Sequence, residues 1–172
     1  KGLYPRWPIH STRILILTEA VIDAASIYQL HGLTSHLVTV LACYGTNGFT
    51  QNHEQAIKEL KQLEEVIFFF DGDQAGREGV KRVSEKLREL KPEIKLSQVE
   101  TPEGEDVNSL IQSHEPDIVK HLIDNRKPIT QEKSDTVFSA SSRTSSSAET
   151  QKPASSATHP GSSLNTANPH RI

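Results

Sequence analysis

The sequence contains no methionine, a single cysteine and only 5% aromatic residues. One thiol cannot form an internal disulfide, and without a cysteine cluster there is no cysteine-based zinc site. Cys43 lies in an apolar run and is predicted to be a small buried hydrophobe. Because methionine is absent even at position 1, we expect the chain to be a piece of a longer protein.

Long apolar runs and an excess of basic charge are also missing. No segment approaches the length of about 18 apolar residues that a membrane helix needs, so we expect no membrane span and a cytoplasmic location. The net charge of −3 gives no overall basic field that would attract nucleic acid. The histidines have no ligand spacing, and His53, His114 and His121 are expected to be exposed.

Apolar runs and helical patterns alternate along the first three quarters of the chain. The predicted strands are 13–18, 37–43, 66–70 and 94–99, and the predicted helices are 20–30, 51–64, 74–90, 108–112 and 116–123. Such alternation is typical of βαβ units. We therefore predict an α/β fold with an about four-stranded, mainly parallel sheet and helices on both faces.

Composition divides the chain into three parts. Residues 1–11 are predicted to be an irregular lead-in, and residues 12–125 are predicted to be the folded domain. Residues 126–172 are dominated by Ser, Thr, Ala and Pro. Such a segment buries too little apolar surface to offset its ordering entropy, so we predict a disordered tail.

Carboxylates follow the predicted strands at the points where they end. Glu19 follows the first strand, Asp71 and Asp73 follow the third, and Asp106 lies in the loop after the fourth. In a parallel sheet these ends share one edge, where ligands bind. Asp23 lies one helical turn beyond Glu19, on the same face. Clustered carboxylates suit Mg²⁺ or Mn²⁺, although the Asp-Gly-Asp alone is equally compatible with a solvated turn.

Four motifs in this order resemble the Toprim domain, which primases, topoisomerases, recombination-repair proteins and some nucleases share. The motifs are Glu19 to Asp23, Tyr44-Gly45-Thr46, Asp71 to Arg77, and Pro102-Glu103-Gly104-Glu105-Asp106. Their form is similar to that of DnaG-type primases and related phage or plasmid primase-helicases. The resemblance covers roughly residues 13–114.

Two positions depart from that pattern. Ala20 replaces the glycine that usually follows the first glutamate, which is a small change. Asn108 stands where primases carry a second aspartate, so one ligand for a second metal is weaker.

The resemblance implies template-directed nucleotidyl transfer, in which RNA primers are made during DNA replication. It implies catalytic roles for Glu19, Asp71 and Asp73, metal ligation by Glu19, Asp71, Asp73, Asp106 and Asp23, and phosphate or nucleic-acid contacts by Arg77, Gly45 and Thr46. Glu19 is open to a role as ligand or as general base. Arg77 either contacts a phosphate or pairs with Asp73, and the pair is favoured. The implied cofactor is Mg²⁺ or Mn²⁺.

In the complete protein the implied partners are a single-stranded DNA template, nucleoside triphosphates and a replicative helicase. A chromosomal role and a mobile-element role fit these residues equally. Two alternatives remain open: a Toprim nuclease or other phosphodiester-cleaving enzyme, and a non-catalytic recruitment module.

Overall fold

Strands and helices alternate through the part of the chain that the computed structural model describes, residues 2–115 and 117–130. The strands are β1 (Ile14–Thr18), β2 (Val38–Ala42), β3 (Glu65–Phe69), β4 (Lys95–Gln98) and β5 (Lys127–Pro128). The helices are α1 (Val21–Gln29), α2 (Gln51–Glu59), α3 (Gln74–Leu90), α4 (Val107–Ser113) and α5 (Asp117–Asp124).

The strands form one sheet in the order β2-β1-β3-β4-β5. β1 pairs in parallel with both β2 and β3, and β3 pairs in parallel with β4. The short β5 is antiparallel to β4. The mainly parallel α/β sheet is therefore confirmed. The sequence did not predict β5, because two residues ending in a proline carry no strand pattern.

Helices cover both faces of the sheet, as the alternation predicted. Leu15, Leu17 and Phe68 point to the face where α2 and α3 pack. Ile16, Ile67 and Phe69 point to the opposite face, with α1, α4 and α5. Successive side chains of a strand point to opposite faces, so these fully apolar strands feed two cores.

Residues 126–130, which we expected to belong to the tail, are held against the sheet. Arg126 pairs with Glu65, and Ile129 packs on the core beside α3. The remainder of the predicted disordered tail, residues 131–172, lies outside the described residues. Within the described ranges, no helix has both the length and the apolar character needed to cross a membrane.

Candidate metal centre

The parallel register brings Glu19 and Asp71 to the same edge of the sheet. Thr18, the last residue of β1, is aligned with Phe69, the last residue of β3. Glu19 follows the first of these strands directly, and Asp71 follows the second after one further residue. Both carboxylates therefore leave the sheet at its carboxyl edge, where open α/β folds bind ligands.

Glu19 has a buried carboxylate oxygen, Oε2, with no hydrogen-bond partner. Burial raises the pKa of Glu19, and the negative charges of Asp73 and Asp23 raise it further, while backbone hydrogen bonds from Asp71 and Thr46 lower it. A buried acceptor without a donor is costly unless another positive group satisfies it. A cation would satisfy this oxygen.

Asp71 has a strongly raised pKa, because it is partly buried and other carboxylates lie near it. Burial raises its pKa from 3.8 to about 7, and the charges of four other carboxylates add to this shift: Glu19, Asp23, Asp106 and Asp73. Opposite charge nearby would favour the ionised form. The possible ligands are carboxylate oxygens whose charges repel one another. Such ligands fit a hard divalent cation, which would neutralise their charge.

Asp73 is exposed and begins α3. Its Oδ1 accepts from the backbone N–H of Gly76 at 2.7 Å, which makes it the N-cap of the helix. This bond fixes the side chain at the positive end of the helix dipole.

Two glycines allow the backbone to pass close to its neighbours here. A Cβ on Gly72 would lie 1.8 Å from the carbonyl oxygen of Pro102, and one on Gly76 would lie 2.2 Å from that of Asp71. The N–H of Gly72 donates to the carbonyl of Glu105 at 2.9 Å. The loop after β3 is therefore tied to the loop that leads to Asp106.

Asp106 and Asp23 lie at the starts of two packed helices. Asp106 is the N-cap of α4, and its Oδ1 accepts from the N–H of Ser109 at 2.6 Å. Asp23 is 1% exposed. Burial raises the pKa of Asp23, and the charge of Asp106 raises it further, although hydrogen bonds from the N–H groups of Ala20 and Asn108 lower it.

The charges of neighbouring carboxylates thus act on the ionisation of Glu19, Asp23 and Asp71. Within residues 2–115 and 117–130, however, no three His, Cys, Asp or Glu side chains stand close enough together to hold a metal ion. The unpaired oxygen of Glu19 and the charge around Asp71 are the observations that fit a cation.

Arg77, Gly45 and Thr46 all have contacts within the fold. Arg77 is exposed and pairs with Glu103 at 3.0 Å rather than with the expected Asp73. The N–H of Gly45 donates to the carbonyl of Glu19 at 2.8 Å, and the carbonyl of Thr46 accepts from Arg82 at 3.1 Å. Gly45 and Thr46 thus lie beside Glu19, whereas Arg77 lies beside the loop that leads to Asp106.

His53 is a residue whose role the sequence did not reveal. It is buried and not exposed as we expected. Its Nδ1 accepts from the N–H of Thr50 at 3.1 Å, which leaves Nε2 to donate to the carbonyl of Ala42 at 3.0 Å. Its ring also stacks on Phe49. His53 therefore holds the loop that carries Gly45 and Thr46, and the Thr-x-x-His spacing of a capping box was its only sequence signal.

The comparisons with known proteins agree with this arrangement. A family model described as Toprim-like matches residues 16–111, more than half of the chain. A search of curated proteins finds no match.

Several solved structures share the fold. The primase of Aquifex aeolicus, a structure of its zinc-binding and RNA polymerase domains, has 25% identity and a TM-score of 0.55 over 67% of this chain and 26% of that chain. A DNA primase domain from Pseudomonas aeruginosa has 27% identity and a TM-score of 0.54 over 69% and 35%.

A third structure is similar in fold alone. It contains bacteriophage T7 lagging-strand DNA polymerase with primase domains bound to an RNA/DNA hybrid and dTTP. Its identity is 18%, with a TM-score of 0.57 over 74% of this chain and 61% of that chain. The chain thus spans between about a quarter and three fifths of the length of these structures.

Proposed function

Because the chain belongs to the Toprim-like family, we propose that it is the metal-binding Toprim domain of a DNA primase-like protein. The observation that carries the proposal is the buried oxygen of Glu19, which has no hydrogen-bond partner and lies near Asp71, whose negative charge repels that of Glu19. The two solved bacterial primases with 25% and 27% identity support the primase branch of the family.

The reaction would be attack of a primer 3′-hydroxyl on the α-phosphorus of a nucleoside triphosphate, with pyrophosphate as leaving group. Mg²⁺ or Mn²⁺ would supply Lewis acidity to the hydroxyl and charge neutralisation to the phosphates. Glu19, Asp71 and Asp73 would hold the ion after moving closer together than they stand in this structure, and Asp106 would border it.

The other residues of the edge would bind and orient the nucleic acid. Arg77 is exposed, so its guanidinium could exchange the carboxylate of Glu103 for a phosphate. Gly45 and Thr46 would lie beside the nucleotide on the Glu19 side. A groove of about 270 Å³ next to Asp71, lined also by Arg77, Gln98 and Thr101, would provide space for part of a substrate.

In the complete protein the partners would be a single-stranded DNA template, nucleoside triphosphates and a replicative helicase. The cellular compartment would be the cytoplasm. Host replication and replication of a mobile element both need this chemistry.

The test is an amide NMR titration of the chain with Mn²⁺, repeated on Asp71→Asn. We expect paramagnetic broadening centred on Glu19, Gly72 and Asp73 in the wild type and its loss in the variant, because the variant removes a negative ligand. Asp117→Asn is the matched control, since Asp117 is exposed on α5; it should broaden as the wild type does.

The outcomes separate the alternatives. Absence of localised broadening at millimolar Mn²⁺ would contradict the metal site and favour a recruitment module. If the site binds Mn²⁺, activity assays on a longer protein that also carries a template-binding region distinguish between the possible reactions. Nucleotide incorporation supports a primase, whereas nicking of DNA without incorporation supports a nuclease.

A further inference from the structure

The first turns of α1 and α4 are joined by a buried carboxylate and an amide side chain. The two oxygens of Asp23 accept from the backbone N–H groups of Ala20 and Asn108, at 3.3 Å each. Oδ1 of Asn108 accepts in turn from the hydroxyl of Ser26, also at 3.3 Å. These three bonds, which we call the α1–α4 clasp, connect the residues behind Glu19 to the loop of Asp106.

The clasp uses the oxygens that a second cation would need. Each oxygen of Asp23 already has a backbone donor, and the residue is 1% exposed. Asp106 also has one oxygen bound, to the N–H of Ser109. Asn108 contributes an acceptor to Ser26 but carries no charge.

An aspartate at position 108 would change the electrostatics and leave the shape almost the same. It would add a third negative charge next to Asp23 and Asp106, and like charges at this range disfavour one another. The neutral amide avoids that repulsion in the absence of a cation.

We propose that Asp23 and Asn108 are positioning residues, and that the site takes a single divalent cation, on the Glu19, Asp71 and Asp73 side. No second ion binds between Asp23, Asp106 and position 108. The inference rests on the proposed function, because it assumes that the edge of the sheet binds a cation at all.

The experiment counts bound Mn²⁺ by electron paramagnetic resonance of the free ion. We expect one Mn²⁺ per chain in the wild type and two in Asn108→Asp, because the added carboxylate, together with Asp106, would supply the ligand oxygens that Asp23 does not. Gln112→Glu adds the same charge at an exposed position of α4 and should stay at one. Ser26→Ala removes a bond of the clasp without a change of charge and should also stay at one.

A second measurement tests positioning separately from ligation. In chelator, Asp23→Ala should speed hydrogen exchange at the amides of Ala20 and Asn108, because both lose their acceptor. With Mn²⁺, the same variant should still bind one ion, about tenfold more weakly, as expected when a residue supports the ligands from behind.

Two wild-type ions, or only one ion in Asn108→Asp, would overturn the inference and leave the proposed function standing. Unchanged exchange and affinity in Asp23→Ala would overturn the positioning role. No bound Mn²⁺ in the wild type would overturn the proposed function, and the single-cation inference with it.

Discussion

Gly72 lies where the loop after β3 passes very close to the backbone of the loop that leads to Asp106. A side chain there would place its Cβ 1.8 Å from the carbonyl oxygen of Pro102. The atom that such a Cβ would meet belongs to the backbone of Pro102. It cannot move away without disturbing the loop that leads to Asp106.

We expect Gly72→Ala to lower the free energy of unfolding by about 2–3 kcal/mol, a loss typical of a forced backbone clash. The measurement is urea unfolding in chelator. Gly2→Ala is the control, because no atom would lie within 4 Å of a Cβ at that position. It should change stability by less than about 0.5 kcal/mol. Equal stability of both variants would show that the loops can separate freely.

The sequence predicts the positions of some residues of the site but not the contacts of others. Glu19 and Asp71 come to one edge because each follows an apolar parallel strand, and that pattern is visible in the sequence. The contact of Arg77 with Glu103 was not predictable, since it depends on how the loop after β4 folds back over α3. The burial of His53 likewise depends on packing against Phe49.

At the scale of elements, β5 is held to the sheet by an ion pair. Arg126 donates to both oxygens of Glu65, from Nε at 2.8 Å and from Nη2 at 2.7 Å. Burial alone would raise the pKa of Glu65, but hydrogen bonds from Arg126 and Ser97, with the charges of Arg126 and Lys95, lower it from 4.5 to about 2.

This pair gives the fold a pH-dependent contribution of known sign. A lowered folded pKa stabilises the protein above the unfolded value of 4.5, and the contribution is lost as the pH falls from there towards 2. We expect Arg126→Met to cost about 3 kcal/mol at pH 7 and much less near pH 2.5. Urea unfolding at several pH values measures the difference.

The control for that series is Lys120→Met. Lys120 forms an exposed pair with Asp124 on α5, and exposed pairs contribute little. A loss in Arg126→Met that did not shrink at low pH would mean that packing of the arginine, and not its charge, holds β5.

The predicted elements agree with the structure where burial and periodicity coincide. The start and end of α3 were predictable because Asp73 caps it and Pro92 follows it. α2 ends at Glu59 and not near Glu64, because Leu60 and Leu63 turn into the core. The spacing of those leucines also fits a longer helix, so the sequence pattern could not distinguish the two.

At the scale of the whole molecule, the acidic edge opposes the stability of the metal-free fold. Burial and neighbouring carboxylates raise the pKa of Asp71 from 3.8 to about 7. Its charged form is therefore unfavourable in the folded state, and the cost grows as the pH rises from 3.8 and is complete above about 7. The shift corresponds to at most about 4 kcal/mol.

We expect Asp71→Asn to be more stable than the wild type by about 2 kcal/mol at pH 8 in chelator, and by much less at pH 5. Mn²⁺ at a hundredfold excess over its dissociation constant should stabilise the wild type by about 2.7 kcal/mol and leave the variant unchanged. Thermal unfolding measures both effects. A variant less stable than the wild type at pH 8 would contradict the repulsion.

The strand order, in which β1 lies between β2 and β3, also affects the rate of folding. The β1–β3 and β3–β4 pairs join segments that are distant in sequence, so each closes a long loop, which makes such pairing slow. We expect the carboxylates to meet late in folding, because they come together only when those loops have closed. Cation binding would then slow unfolding, while the rate of folding would remain that of the bare chain.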